Sequence, residues 1–275
     1  MKIINAICPI GKNATLRGLL VDTSLTYGQQ EKRPAVLICP GGGYMYVAPR
    51  EAEPMMHAFA AKGFHAFVLY YSCGMDGGDF VQEKQLAWAL SLLRAKREEW
   101  GIDPEQIISV GFSAGGHLAL SGAIYAEEKP NALILGYPLL SFHSDNEEMK
   151  KGMGQLLNIL LHPGYTEDDA DRLELIQKID GNIPPLFLFN TWEDTMMTAQ
   201  TLGLLEKYMQ LHRPYEYHCF QQGPHGLALG DETTANGSSQ MFNPHVGQWF
   251  DLCIDWLKQT LLKPELVDKK VTQLV

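Results

Sequence analysis

The chain has 275 residues, 45% hydrophobic and 20% charged, the balance of a packed globule and not of a disordered, collagenous or coiled-coil chain. Lys and Arg number 22 against 32 Asp and Glu, a net charge of −10. The densest basic run, Arg94, Lys96 and Arg97, is answered at once by Glu98 and Glu99, so neither nucleic acid nor an anionic membrane surface is an expected partner.

The opening stretch Met1–Pro9 is apolar but broken by Asn5 and Pro9, too weak for a signal-peptide core. Nowhere do about 18 uninterrupted apolar residues occur, the length a membrane span needs. The expectation is a cytoplasmic protein, and no element is assigned before Pro34. Five scattered cysteines (Cys8, Cys39, Cys73, Cys219, Cys253) form no CxxC pair and no Cys/His cluster. They predict free thiols, with no disulfide framework and no metal site.

From Pro34 onward, short apolar runs alternate with helical patterns, which predicts an α/β fold: a mostly parallel sheet with helices on both faces. The run 34–39 reads as a buried strand that empties into Pro40-Gly41-Gly42-Gly43-Tyr44. A helix is expected over 50–62, stopped by Gly63, then a strand over 64–70 and a helix over 80–100. The strand 106–110 leads directly into Gly111-Phe112-Ser113-Ala114-Gly115-Gly116, followed by a helix to about 127. A strand is expected at 132–136. The segment 141–182 is polar and poorly periodic, with short helices at best, and reads as a small cap-like insertion. Strands at 185–190 and 214–220 flank a helix at 198–211. A Gly/Ser/Thr/Asn-rich loop over 230–244 precedes a last helix at 245–262, and 263–275 is left as a tail. No repeat or linker divides the chain, so one domain spanning 1–275 is expected.

Four separated segments carry chemistry. Gly111-x-Ser113-x-Gly115 lies between a strand and a helix, where a strained turn would project the serine oxygen above the sheet. The motif alone arises by chance in about one chain in ten of this length, given glycine at ~7% of residues. Its placement is what gives it weight. The glycine run 41–43 follows another strand and can turn bare N–H groups toward a ligand oxygen. It lacks the Gly-Lys-Ser/Thr of a phosphate loop, so Gly42, Gly43 and Ala114 are read as oxyanion donors. Of nine histidines, His225 stands out between Pro224 and Gly226, in a loop after a strand. His218 lies inside a strand pattern, His117 points away on the helix after Ser113, and His245 is the remaining rival. Asp194 follows the 185–190 strand, whereas Asp171 and Asp180 precede it. Glu193 is adjacent to Asp194, but only one of the two can face the histidine. Ser113, Asp194, His225 and the glycine run would all lie at the carboxyl ends of strands, where open α/β sheets bind ligands.

The order nucleophile, acid, histidine is that of α/β-hydrolases. With PGGGY (40–44), GIDPEQIISVGFSAGGH (101–117), the WED loop (192–194), GPHG (223–226) and the WFDLCIDWL helix (249–257), the chain resembles esterases of the α/β-hydrolase fold related to hormone-sensitive lipase. Within them it is most similar to the acetylxylan-esterase-like branch, from about Leu16 to Leu262. Pro40 stands where the lipase branch carries a histidine, Tyr70-Tyr71-Ser72 where a Tyr-Arg pair is common, and Thr195-Met196-Met197 where small, apolar and proline residues are frequent. The resemblance implies a serine carboxylic-ester hydrolase for short acyl esters, with catalytic Ser113, Asp194 and His225 and no cofactor. Tyr44, Tyr46, Trp192 and Met196 are candidates to line its pocket, with core or rim packing equally consistent for each. An amidase, aryl-formamidase-like or peptidase activity on the same fold remains an alternative, as does a non-catalytic binding protein. The expected partner is a small-molecule ester. The oligomeric state, including a homo-oligomer, is left open.

Overall fold

A computed structural model describes residues 1–22, 32–143 and 147–261; the side chains of Glu148 and Met149, the expected tail 263–275 and the last residue of the expected 245–262 helix lie outside the described residues. Among the described residues one sheet has eight strands: β1 (Lys2–Ile7), β2 (Thr15–Leu20), β3 (Arg33–Cys39), β4 (His65–Tyr70), β5 (Ile102–Phe112), β6 (Ala132–Gly136), β7 (Leu186–Thr191) and β8 (Tyr215–Phe220). They run in the order β1-β2-β4-β3-β5-β6-β7-β8. The β1/β2 and β2/β4 pairs are antiparallel, and every later pair is parallel. This is the α/β-hydrolase architecture.

The first two strands were not assigned from sequence. In β1 apolar residues fall on both faces, with Ile3 and Ile7 exposed and Ile4 and Ala6 packed inward. An edge strand of this kind has no clean alternation to detect. The central strands do, in the form of continuous burial. β3 is buried at all seven positions, as expected where helices cover both faces of a parallel sheet.

The helices are α1 (Glu53–Ala61), α2 (Val81–Ala95), α3 (Arg97–Trp100), α4 (Ala114–Tyr125), α5 (Glu147–Leu160), α6 (Glu167–Asp171), α7 (Thr195–Gln210), α8 (Glu232–Ala235), α9 (Pro244–Gly247) and α10 (Trp249–Thr260). The expected helix over 80–100 breaks at Lys96, and the expected helix over 245–262 breaks at Gln248. Strand residues alternate between two apolar clusters. Phe187 and Phe189 join one, with Trp249 and Phe250, while Leu186 and Leu188 join the other, with Leu204 and Tyr208. A period of two places these clusters on opposite faces of the sheet. Helix α4 is buried from Ala114 to Ala123, and it is apolar on every side, as a helix enclosed by the core must be.

The 141–182 segment is more ordered than its composition suggested. Helix α5 runs for 14 residues, with Met153, Leu156, Leu157 and Leu160 packed against the main core. Gly152 and Gly154 hid this spacing by lowering the apparent helix propensity, and Lys150 and Lys151 interrupt its apolar pattern. The segment is fastened to the rest of the fold: the Asp79 N–H donates to the Leu161 carbonyl at 2.9 Å, and Gln200 Oε1 accepts from Leu140 and Ser141 N–H.

His117 makes a further attachment. Its Nε2–H donates to the Leu173 carbonyl at 2.9 Å, so its Nδ1 accepts from the Tyr44 hydroxyl at 2.7 Å. That tautomer is neutral, and burial pushes the His117 pKa from 6.5 down to about 4. The unfolded chain takes up a proton here at a higher pH than the native state. The associated stability is therefore fully present above about pH 6.5 and is lost as the pH falls toward 4. Between pH 7.5 and 4.5 the wild-type chain is expected to lose about 2 kcal/mol more than a His117→Gln variant. Urea midpoints of the two proteins at both pH values measure this, and equal losses would overturn it.

Candidate active site

The parallel register aligns the strand ends that carry the site. Cys39 pairs with Gly111, Phe112 with Gly136, Gly136 with Phe189, and Thr191 with Phe220. The residues that follow β3, β5, β7 and β8 are thus delivered to one edge of the sheet.

Between β5 and α4 only Ser113 intervenes. It adopts φ 52°, ψ −121°, a strained conformation for a residue with a side chain. Hydrogen bonds hold it there, the Ser113 N–H donating to the Gly136 carbonyl and the Leu139 N–H to the Ser113 carbonyl, at 3.1 and 2.9 Å. The flanking glycines are steric necessities. A Cβ on Gly111 would meet the Ala119 Cβ at 2.7 Å, and one on Gly115 would fall on the Cys39 and Pro40 carbonyls.

Asp194 ends the turn after β7 and is 8% exposed. His225 lies in the loop after β8. Its Nδ1 is 2.6 Å from Asp194 Oδ2, and its Nε2 is 2.8 Å from Ser113 Oγ. The carboxylate can only accept, so Nδ1 carries the proton and Nε2 is free to accept from the serine hydroxyl. Glu193 points elsewhere, and its Oε2 accepts the Gly223 N–H at 2.8 Å. The Thr191 hydroxyl donates to the Gly223 carbonyl at 2.6 Å. Both polar groups of Gly223 are thereby held two residues before the histidine. Neither rival histidine touches Ser113: His218 bonds Glu216 at 2.8 Å, and His245 lies edge-on to Phe220.

The glycine loop curls above β3. Gly42, Gly43 and Tyr44 have φ of 112°, 58° and 59°, three consecutive positive values that only a glycine-rich loop adopts readily. Met45 and Tyr46 N–H donate back to the Gly42 carbonyl. No acceptor among the described residues takes the Gly42 or Gly43 N–H, and the Ala114 N–H is the first of α4, beyond any intrahelical acceptor. The loop abuts the serine, since a Cβ on Gly41 would lie 2.8 Å from the Ser113 Cβ. From below, the Tyr71 hydroxyl donates to the Pro40 carbonyl at 2.6 Å. Ser72 is gripped by two buried glutamines, its N–H donating to Gln85 Oε1 and its carbonyl accepting from Gln82 Nε2, both at 2.9 Å.

Tyr44 is not a pocket residue. It is fully buried, because its left-handed backbone turns the ring under the loop toward His117, Tyr71 and Phe80. Tyr46 and Trp192 are 59% and 65% exposed, and Met196 is partly buried against the core. The buried Glu51 and Tyr137, which lie beneath both the glycine loop and the histidine loop, went unnoticed in the sequence. Each is a single polar residue at an element boundary, with no motif around it. Among the described residues no group of three or more His, Cys, Asp or Glu is placed to hold a metal, and no helix is long and apolar enough to cross a membrane.

Fold and site together define an α/β hydrolase. The BD-FAE family model matches residues 21–209, and the chain belongs to the BD-FAE family. It is 25% identical over 229 residues to endo-1,4-beta-xylanase B of Butyrivibrio fibrisolvens, covering 76% of this chain and 34% of the relative. It is 24% identical over 205 residues to an acetylxylan esterase of Xylanibacter ruminicola, covering 71% and 41%. The chain thus spans well under half the length of these curated relatives. Among solved structures it is similar to MGS-M1, an alpha/beta hydrolase enzyme from a Medee basin deep-sea metagenome library. That match has 34% identity, a TM-score of 0.80, and coverage of 95% of this chain and 98% of the other.

Proposed function

We propose that this chain is a serine carboxylic-ester hydrolase for short acyl groups, acting through an acyl-enzyme. The observation that carries the reading is the relay from Ser113 Oγ to His225 Nε2 and from Nδ1 to Asp194, at 2.8 and 2.6 Å, beside a left-handed loop with unclaimed N–H groups. In acylation the Ser113 oxygen attacks the ester carbonyl carbon while its proton passes to Nε2. The carbonyl π pair moves onto oxygen, where Gly42, Gly43 and Ala114 N–H groups receive the charge. Asp194 holds the imidazolium as it forms. The intermediate expels the alcohol oxygen, which takes the proton from Nε2, and leaves an acylated serine. A water then repeats the sequence and releases the acid.

The family membership and the acetylxylan esterase among the relatives support an acetyl-like acyl group and a sugar-borne alcohol. Exposed Tyr46 and Trp192 would offer aromatic faces to such an alcohol.

The test is hydrolysis of p-nitrophenyl acetate, butyrate and octanoate, with a fluorophosphonate probe mapped by peptide mass. The expected result is activity that falls steeply with chain length and a single label on Ser113. Octanoate cleaved as fast as acetate would overturn the short-acyl reading. A protein inert to every ester and to the probe would overturn the hydrolase itself, in favour of a binding protein. A labelled serine with no ester turnover would move the assignment to amides.

A further inference from the structure

Beneath the site lies a carboxylate that the mechanism above does not use. Glu51 closes a short 3-10 turn over Pro49–Glu51, just ahead of α1, and is 3% exposed. No cation lies within ion-pair range of it among the described residues. Its Oε2 accepts the Gly41 N–H at 2.6 Å, and its Oε1 accepts the Tyr137 hydroxyl at 2.8 Å. The Tyr137 oxygen in turn accepts the Ala228 N–H at 3.0 Å. The Tyr137 ring stands edge-on to His225, with centroids 5.0 Å apart.

One carboxylate therefore joins three strand ends: the glycine loop after β3, Tyr137 after β6, and the histidine loop after β8. Tyr137 is held to the sheet through its own N–H, which donates to the Phe189 carbonyl at 2.7 Å, and it has a left-handed φ of 37°. Ala228 is fixed from its other side by the Trp249 indole N–H, at 2.8 Å from its carbonyl. A buried, unpaired charge is a costly way to fasten loops, since apolar packing at such a position is commonly as stable or more so. What a charge adds here is an acceptor for two donors at once and a negative potential below the imidazole.

We infer that Glu51 is a positioning residue for the proposed ester hydrolysis, acting through Gly41 on the oxyanion loop and through Tyr137 on His225. The inference rests on the reading of Ser113, His225 and Asp194 as the catalytic set. The groups facing the Glu51 carboxylate are Arg50 on its own turn, Tyr137 after β6, His225 after β8 and Tyr71 after β4; Asp194 faces the histidine from β7. Burial raises the Glu51 pKa, while the bonds from Gly41 and Tyr137 and the His225 charge pull it back. The ionised form accepts from both donors with neither oxygen carrying a proton of its own that would need a further acceptor.

The test compares Glu51→Gln and Tyr137→Phe with wild type on p-nitrophenyl acetate, with active sites counted by the fluorophosphonate. For Glu51→Gln, kcat per labelled site should fall about 30-fold, with KM within threefold, a loss somewhat below that of deleting an oxyanion donor outright. The acid limb of kcat/KM should also move to lower pH, because a negative charge that favours the imidazolium has gone. Tyr137→Phe should lower kcat about tenfold and leave the acid limb in place, since the Glu51 charge remains. A role confined to stability would reduce the labelled fraction and leave the limb and the per-site kcat unchanged, which overturns the inference. If Glu51→Gln fails to fold, Tyr137→Phe decides, and a per-site kcat within twofold of wild type overturns it. A wild-type protein inert to esters and probe would remove the inference together with the reading beneath it.

Discussion

Replacing Ser113 by alanine is expected to lower kcat on p-nitrophenyl acetate by about 10⁶-fold, and replacing Asp194 by asparagine by about 10⁴-fold. The two losses have different causes. Alanine removes the hydroxyl 2.8 Å from His225 Nε2, and with it the oxygen that the proposed mechanism acylates. Asparagine keeps the size and shape of Asp194. Its amide can, however, present an N–H to Nδ1, which drives the imidazole into the tautomer that carries hydrogen on Nε2. That tautomer cannot accept the serine proton. Asparagine also removes the charge that stabilises the imidazolium. The double variant should be no slower than Ser113→Ala alone, because residues that act on one proton transfer are not additive. Steady-state kinetics on the three proteins, with folding checked by circular dichroism, decide the matter. An Asp194→Asn variant within tenfold of wild type would mean that another acid orients His225. Glu193 is the adjacent candidate, although its carboxylate is occupied by the Gly223 N–H.

The sequence made some of this visible and hid the rest for identifiable reasons. β3 through β7 announced themselves as apolar runs because central strands covered on both faces are buried, whereas β8 is an edge strand, half-exposed over most of its length. The convergence of Ser113, Asp194 and His225 was legible because each follows an expected strand, and carboxyl-terminal strand ends converge in an open sheet. What failed was anything decided by a local turn of the backbone or by a partner distant in sequence. Tyr44 beside three glycines read as a pocket residue, yet its positive φ sends the ring under the loop. α5 was obscured by lysines and glycines on its outer side, while its inner residues met a core that sequence periodicity cannot display. Glu51 lies 86 positions from Tyr137, its partner, and an isolated Glu at the head of a helix more often caps or faces solvent. Glu193 was set aside as the acid, and its hold on Gly223 could be seen only once β7 and β8 lay side by side.

The glycines around the site separate steric need from conformational freedom, and this gives the second large effect. Gly115→Ala is expected to cost more than about 3 kcal/mol or to prevent folding, beyond ordinary overpacking. The new methyl would fall on the Cys39 and Pro40 carbonyls, with the Cys39 carbonyl carbon at 2.6 Å. These are backbone atoms of the strand and loop that carry the proposed oxyanion donors Gly42 and Gly43, so relief requires moving β3 or α4 bodily. Gly43→Ala presents the opposite case. Nothing lies within 4 Å of a Cβ there, and the only obstacle is a φ of 58°, which costs an L-residue about 1–2 kcal/mol. Urea unfolding should rank the two variants accordingly. Gly43→Ala should also remain folded at 25 °C, so that any loss of kcat reports the placement of its N–H and not collapse of the loop. A Gly115→Ala protein as stable as Gly43→Ala would mean that α4 does not press against the end of β3, and the close approach of Ser113 to the glycine loop would fall with it.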